Sequence, residues 1–192
     1  KKIMNLENKD QEPIVTCPAI PADAEGIAHV VETTWLSTYP NEEYKITEED
    51  INEILKNRKS PEEIEKTRQN IIEEKPDQKI FVAKQGEDII GFCNAIKKPD
   101  FNQLKAIYVL PEYQGQGIGQ KLWDQVFTFF NDNNNKIIVH VATYNQKAID
   151  FYKKLGFEET GKNFSQERFR MKSGSIIPET ELCIERNDKL IK

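Results

Sequence analysis

Apolar positions along this chain fall into two periods. Short runs rich in β-branched residues read as strands, and stripes recurring every three or four residues read as helices. Residues 1–12 are polar without an apolar period and predict a loose tail. Ile14 to Ala19 predicts a first strand, and Pro18, with no N–H to give a ladder, places it at a sheet edge. Pro21-Ala22-Asp23 leads into a helix with the apolar stripe Ile27, Val30, Val31 and Trp35; His29 lies off that stripe and reads as solvated. Trp35 to Pro40 predicts an aromatic loop closing this helix. Thr47 caps a second helix to about Asn57, with a weak face of Ile51, Ile54 and Leu55. Ser60-Pro61-Glu62-Glu63 opens a third: a cap, a proline at the first helical position and a glutamate three residues on. It runs to about Glu74 and is charged enough to lie on the surface.

Lys79 to Lys84 and Ile89 to Ile96 predict two strands joined by a hairpin turn at 85–88. Leu104 to Val109 is the next strand, stopped by Pro111. A glycine-rich turn, Gln114 to Gly119, follows. Ile118, Leu122, Trp123, Val126, Phe127 and Phe130 then line one side of a long helix, which Asn131 to Asn135 ends. Lys136 to Ala142 is almost wholly apolar and predicts a central strand covered on both faces. Ala148, Phe151, Tyr152 and Leu155 recur on one helix face, with Gly156 as the stop. Two closing strands, Phe157 to Met171 with interruptions and Thr180 to Glu185, flank a loop at 172–175. No repeat or low-complexity linker divides the chain, so residues 13–192 form one domain behind the tail.

A strand, a bare turn and a helix start together aim several N–H groups at one anion, so the expected ligand carries phosphate. The dinucleotide fingerprint fails because Gln120 stands where its third glycine would fall, and no Gly-Lys-Ser/Thr follows the turn. What remains is Gln114-x-x-Gly117-x-Gly119, which resembles the coenzyme A pyrophosphate loop of the GNAT acetyltransferase superfamily. A plain glycine turn joining strand to helix has the same look. The second motif, Asn145-x-x-Ala148-x-x-Phe151-Tyr152-x-x-x-Gly156-Phe157, starts 26 residues beyond Gly119 and resembles the C-terminal signature of the same superfamily. The order of elements from 14 to 185 also matches, whereas residues 1–13 and 37–75 are not covered in detail.

This resemblance implies an α/β GNAT acyltransferase fold: a mixed, mostly antiparallel, splayed sheet of six to seven strands flanked by about four to five helices. It implies acetyl transfer from acetyl-CoA to a primary amine of a small, polyamine-like molecule, by direct attack in a ternary complex. A protein N-terminal acetyltransferase and a non-catalytic acetyl-CoA-binding module are the alternatives. By the same resemblance, the backbones of Ile107 and Val109 would pair with the pantetheine arm, and the Val109 amide would meet the thioester oxygen. Gln114, Gly115, Gln116, Gly117, Ile118 and Gly119 would hold the pyrophosphate, and Asn145 the cofactor arm. Tyr152 would protonate the departing thiolate; a tyrosine on an apolar face also reads as core. His140, the polar residue of its strand, reads either as general base or as a core histidine bonded to backbone.

Composition narrows the partners. The 192 residues carry a net charge of −5, which argues against a nucleic-acid partner. No apolar run approaches the ~18 residues of a membrane helix, and no secretory pattern opens the chain. Cys17, Cys93 and Cys183 form neither a zinc pattern nor a disulfide frame, so free thiols in a reducing cytoplasm are expected, without a metal. No cysteine falls in either motif, so no covalent acyl-enzyme is expected. Trp35, Tyr39 and the acids Glu42, Glu43, Glu48, Glu49 and Asp50 read either as an acceptor mouth or as core and a solvated face. Asn163, Phe164 and Arg168 lie in a late strand region that often borders the acceptor site in related proteins, and the sequence assigns them no role. A homodimer is common among them, though no exposed apolar stripe here demands one.

Overall fold

The structure is a computed structural model and describes residues 12–132 and 135–186. Most of the expected polar tail, the asparagines at 133–134 and residues 187–192 lie outside that range. In chain order come β1 (Ile14–Pro18), α1 (Ala24–Thr38), α2 (Glu48–Arg58), α3 (Pro61–Ile72), β2 (Gln78–Gln85), β3 (Asp88–Lys97) and β4 (Asn102–Val109). Then follow α4 (Ile118–Phe129), β5 (Ile137–Ala142), α5 (Gln146–Lys154), β6 (Glu158–Arg170) and β7 (Ile176–Ile184). The seven strands form one sheet in the order β1-β2-β3-β4-β5-β7-β6. Every pairing is antiparallel except β4 with β5.

That parallel pairing is the feature on which the site depends. It holds for three residue pairs, Asn102 with Ile137 to Leu104 with Val139, and then stops. The cause lies on the other side of β4. Ala106 pairs with Asn94 and Leu104 with Ala95, so Lys105 is an extra residue in the ladder. A bulge of this kind bends its strand, and β4 swings away from β5. The sheet is therefore splayed, as expected.

The helices hold the splay open. The buried stripe of α4 is Ile118, Leu122, Trp123 and Val126, packed with Phe130 and Phe157 into the main core. Phe127, expected on this stripe, is 42% exposed; at ~100° per residue it falls past the stripe's edge, and the Arg186 guanidinium covers its ring. A second core lies on the side of α1 and α2, with Trp35, Ile51, Leu55, Phe169 and Ile177. Trp35 and its neighbours are not a loop: α1 continues to Thr38 because burying Trp35 there outweighs the turn-forming residues around it. Ser60 caps α3 as its sequence predicts, its hydroxyl accepting from the Glu63 N–H, but the helix ends at Ile72. The last strand begins at Ile176 rather than Thr180, which brings Glu179 into the ladder opposite Ala142.

Candidate active site

The gap between the splayed strands opens a cavity of about 860 Å³. Strand alternation fixes what β4 offers to it. The Leu110 N–H donates to the Ile90 carbonyl of β3 at 2.9 Å. The polar backbone groups of Val109 and Ile107 therefore point the other way, toward the space β5 has left. Gln114 agrees with this direction: its Nε2 donates to the Val109 carbonyl at 2.9 Å, leaving the Val109 amide beside it.

At one end of the cavity, the turn delivers bare backbone to the start of α4. Gly115 and Gly117 have φ of +80° and +78°, and a Cβ at either would meet nothing within 4 Å. The left-handed backbone thus costs a side chain here, while the space above the amides stays open. Gly117 caps the twelve-residue α4 without any side chain accepting its first N–H groups. This arrangement suits the diphosphate of a coenzyme A. Lys147 and Lys154 line the same cavity, and the Lys147 ammonium donates to the Gln114 side-chain oxygen.

The two sequence motifs meet here. A Cβ on Gly119 would lie 3.1 Å from the Phe151 ring, so α4 and α5 approach at a point only glycine leaves room for. Asn145 caps α5, its Oδ1 accepting from the Ala148 N–H at 3.1 Å. Ile107, Val109, Gln114, Gly115, Gly117, Ile118, Gly119, His140, Asn145 and Tyr152 all line the cavity. Gln116 does not: its amide turns back to the Glu112 carbonyl at 3.3 Å. Tyr152 is buried against Phe151 and Phe157, and its hydroxyl finds no hydrogen-bond partner among the described residues. Burial pushes its phenol up, well above the usual tyrosine range.

At the other end, β5 and β7 present polar groups on one face. His140 pairs in register with Glu181, and Ala142 with Glu179. The His140 Nε2 lies 3.5 Å from a Glu181 carboxyl oxygen, and its ring stands edge-on to Phe164 at 4.7 Å. Burial holds the imidazole below the usual histidine range, although Glu181 pulls it upward. Burial also opposes the charge on Glu181, but Lys162, Thr160 and His140 together outweigh it and leave that carboxyl lowered.

Several residues here escaped the sequence reading. Glu179 is buried, receives the Gln166 amide at 2.5 Å, and is raised by that burial. Tyr108, not singled out from sequence, shares a hydroxyl–hydroxyl hydrogen bond of 3.1 Å with the already noted Tyr39 in the cavity wall. Tyr144 donates to the Tyr39 carbonyl at 2.9 Å and stacks on Tyr44. The signal for Glu179 was present as alternation in Ile-Ile-Pro-Glu-Thr-Glu-Leu, with Pro178 masking the start of the strand. Of the two readings of the acids, the solvated face is the one observed: Glu42, Glu43, Glu48 and Glu49 are exposed and outside the cavity. Asp50 is a capping residue, bonded to Thr47 and to the Ser173 hydroxyl. Trp35 belongs to the second core, while Tyr39 alone of this group reaches the cavity.

Comparison with known sequences decides the family. Residues 35–157 match the sequence profile of the Acetyltransferase (GNAT) family. The chain belongs to this family. An uncharacterized N-acetyltransferase of Methanocaldococcus jannaschii is 33% identical over 87 residues, covering 41% of this chain and 38% of the relative. The thialysine N-epsilon-acetyltransferase of Sus scrofa is 37% identical over 74 residues, covering 38% and 44%. The spermidine N(1)-acetyltransferase of Vibrio cholerae is 28% identical over 104 residues, covering 52% and 60%. This GNAT chain thus aligns with less than two thirds of the length of each of these curated relatives. The PaiA N-acetyltransferase of Thermoplasma acidophilum, solved with coenzyme A, superposes with a TM-score of 0.65 at 21% identity, covering 87% of this chain and 98% of that one. A GNAT protein of Rhodopseudomonas palustris gives a TM-score of 0.66 at 18% identity, covering 89% and 94%. Both share the splayed-sheet fold.

Proposed function

We propose that this chain transfers the acetyl group of acetyl-CoA to the primary amine of a small molecule, by direct attack in a ternary complex. One observation carries the reading: the unencumbered amides of the 114–119 turn, the free edge of β4, and the side chains of Tyr152 and His140 all line one cavity. The relatives named for thialysine and spermidine acetylation act on amine nitrogens, and PaiA was solved with coenzyme A. Acetyl-CoA supplies an activated acyl carbon as a thioester.

Each protein group then has a task. The turn and the first amides of α4 hold the diphosphate. The edge of β4 at Ile107 and Val109 accepts the pantetheine arm as an added strand, and the Asn145 amide nitrogen steadies it. His140 takes the ammonium proton, either directly or through a water, because an amine attacks only when neutral. The nitrogen forms its bond to the acyl carbon while the Val109 N–H donates to the oxygen that gains charge. The carbonyl re-forms as the carbon–sulfur bond breaks, Tyr152 gives its proton to the departing sulfur, and the proton that the new amide nitrogen sheds returns through water to the phenolate. The raised Tyr152 phenol keeps its proton at every working pH, so the donor is always loaded. No thiol lines the cavity to make an acyl-enzyme: Cys93 is fully buried, against the Leu122 carbonyl.

The test is release of CoA thiol from acetyl-CoA across polyamines, amino acids and N-terminal peptides. Tyr152→Phe is expected to lower kcat about 10²-fold on whichever acceptor responds, with the KM for acetyl-CoA unchanged. Turnover within twofold of the parent removes Tyr152 from the chemistry. Firm acetyl-CoA binding with silence on every acceptor favours a non-catalytic binding module instead.

A further inference from the structure

Three cations at the acceptor end have no carboxylate. Arg58, at the end of α2, lays its guanidinium over the Trp35 ring at 4.6 Å and toward Phe169 at 5.9 Å. Arg168, on β6, lies over the same Phe169 ring at 4.6 Å. Lys105, the bulged residue that opens the sheet, lines the cavity itself. Among the described residues, none of these three side chains has an ion-pair partner or makes a hydrogen bond.

Their neighbours behave differently. Lys59, next to Arg58, pairs with Glu32, and Arg170, two residues beyond Arg168, pairs with Glu167 at 2.6 Å. The chain has acid to spare, with 32 Asp and Glu against 27 Lys and Arg. Other described cations also lack an ion pair, but these three lie close enough together for Lys105 to feel both arginines. They are also held in place. Arg58 and Arg168 rest on aromatic faces, an interaction that fixes a guanidinium without neutralising it. The Trp35 ring under Arg58 packs at 4.9 Å on Tyr39, which lines the cavity. Burial together with the like charges of Arg168, Lys98 and Arg58 pushes the Lys105 ammonium below the usual lysine range. These groups repel one another; Glu179 and Glu63 feel Arg168 and Arg58 at a distance, but no carboxylate among the described residues is in contact with any of the three.

We infer that the acceptor carries a carboxylate as well as its amine, and that Lys105, Arg58 and Arg168 recognise that carboxylate. This rests on the acetyl-transfer reading and narrows its acceptor from amines in general to amino-acid-like amines. The two halves of such an acceptor match the two charges present. His140 lines the cavity, with Glu181 and Glu179 across the β5–β7 ladder outside its lining; Lys105 lines the same cavity, with Arg58 and Arg168 near it. A guanidinium offers a carboxylate two parallel donors, and Lys105 adds a point charge from the cavity wall. A polyamine would place a second ammonium among these cations, at a Coulomb cost that a carboxylate turns into a gain.

Matched acceptor pairs test this: lysine against cadaverine, and ornithine against putrescine, followed by CoA thiol release. In each pair the decarboxylated member keeps the reacting amine. The carboxylated member is expected to have a kcat/KM at least ten times higher. Arg168→Gln and Lys105→Gln are expected to erase that preference through the KM of the carboxylated member, leaving the KM of acetyl-CoA unmoved; Arg168→Lys and Lys105→Arg restore part of it. Diamines that match or outpace their amino acids overturn the inference, as do variants that slow both members alike. If no amine is acetylated, the acetyl-transfer reading fails separately, and the anion site is read without turnover. Glutarate should then raise the thermal midpoint of the parent protein but not of the Lys105→Gln, Arg168→Gln double variant, and equal shifts in both refute the site.

Discussion

His140 is the residue whose surroundings make the sharpest statement about pH. In the proposed role of base, His140 works only in its neutral form, so its protonation would set the acid limb of log kcat/KM. Burial moves that protonation below the ~6.5 of a free imidazole, and the positive charges of Arg168 on β6 and Lys98 before β4 push the same way. Glu181 on β7 opposes them, through the 3.5 Å contact. The acid limb is therefore expected below pH ~6.5. Glu181→Gln removes the upward pull and shifts the limb to still lower pH, while Arg168→Gln shifts it up. Titrating kcat/KM for one good acceptor in the parent and both variants measures these signs. A limb that persists unchanged in His140→Ala belongs to another group and withdraws His140 from the base role. Part of this was readable beforehand: a lone histidine in an apolar strand is visible in any sequence. Its carboxylate partner was not, because Glu181 lies 41 positions away and meets it only through the β5–β7 ladder.

At the scale of elements, the start of α2 shows how a local signal serves a distant site. Thr47 and Asp50 cap each other: the Asp50 N–H donates to the Thr47 hydroxyl at 3.1 Å, and the Thr47 N–H to the Asp50 carboxylate at 3.0 Å. The same carboxyl accepts the Ser173 hydroxyl at 2.8 Å, tying α2 to the turn between β6 and β7. These donors, Thr47 first, hold the Asp50 carboxyl below its usual range. Asp50→Ala is expected to cost about 2 kcal/mol at pH 7, a lost cap plus an orphaned hydroxyl. The sign follows from linkage: a depressed carboxyl stabilises the fold above its unfolded value of ~3.9 and stops doing so as pH falls through its folded value. The difference between parent and variant in urea melts should therefore be full at pH 7 and shrink at pH 3. A gap of the same size at both pH values contradicts this account. The capping pair was legible at Thr47, as were most elements, since caps, stripes and alternation act over a few residues. What local pattern could not supply was the placing of α2's far end, Arg58, beside Arg168 and Lys105. That meeting depends on sheet order and on one bulge, neither of which leaves a periodic trace.

For the whole molecule, the proposed cofactor half and the proposed acceptor half differ in how they are built. The cofactor half is backbone: a turn, a helix start and a strand edge, all close in sequence, and so both motifs were readable as they stood. The acceptor half is side chains from α1, α2, β4, β5, β6 and β7, which only the complete fold assembles. Stability therefore underlies both, and Cys93 offers a way to measure it. This thiol is fully buried on β3, donates to the Leu122 carbonyl of α4 at 3.7 Å, and is pushed up to about 12 by burial. Thiol reagents act on the exposed thiolate, so Cys93 should react only when α4 lifts from the sheet. Its labelling rate then reports that opening directly. Acetyl-CoA spans the start of α4 and the edge of β4 in the proposed complex, so it binds the closed form alone. At 100 times its Kd it should stabilise that form by about 2.7 kcal/mol, slowing Cys93 labelling roughly 100-fold. Mass-resolved iodoacetamide labelling, with and without acetyl-CoA, reads this rate separately from the half-buried Cys17 on the edge strand. Protection confined to Cys17, or none at Cys93, would mean that the ligand does not bridge α4 and β4. Loss of activity in step with modification of any one cysteine would instead bring a thiol into the reaction.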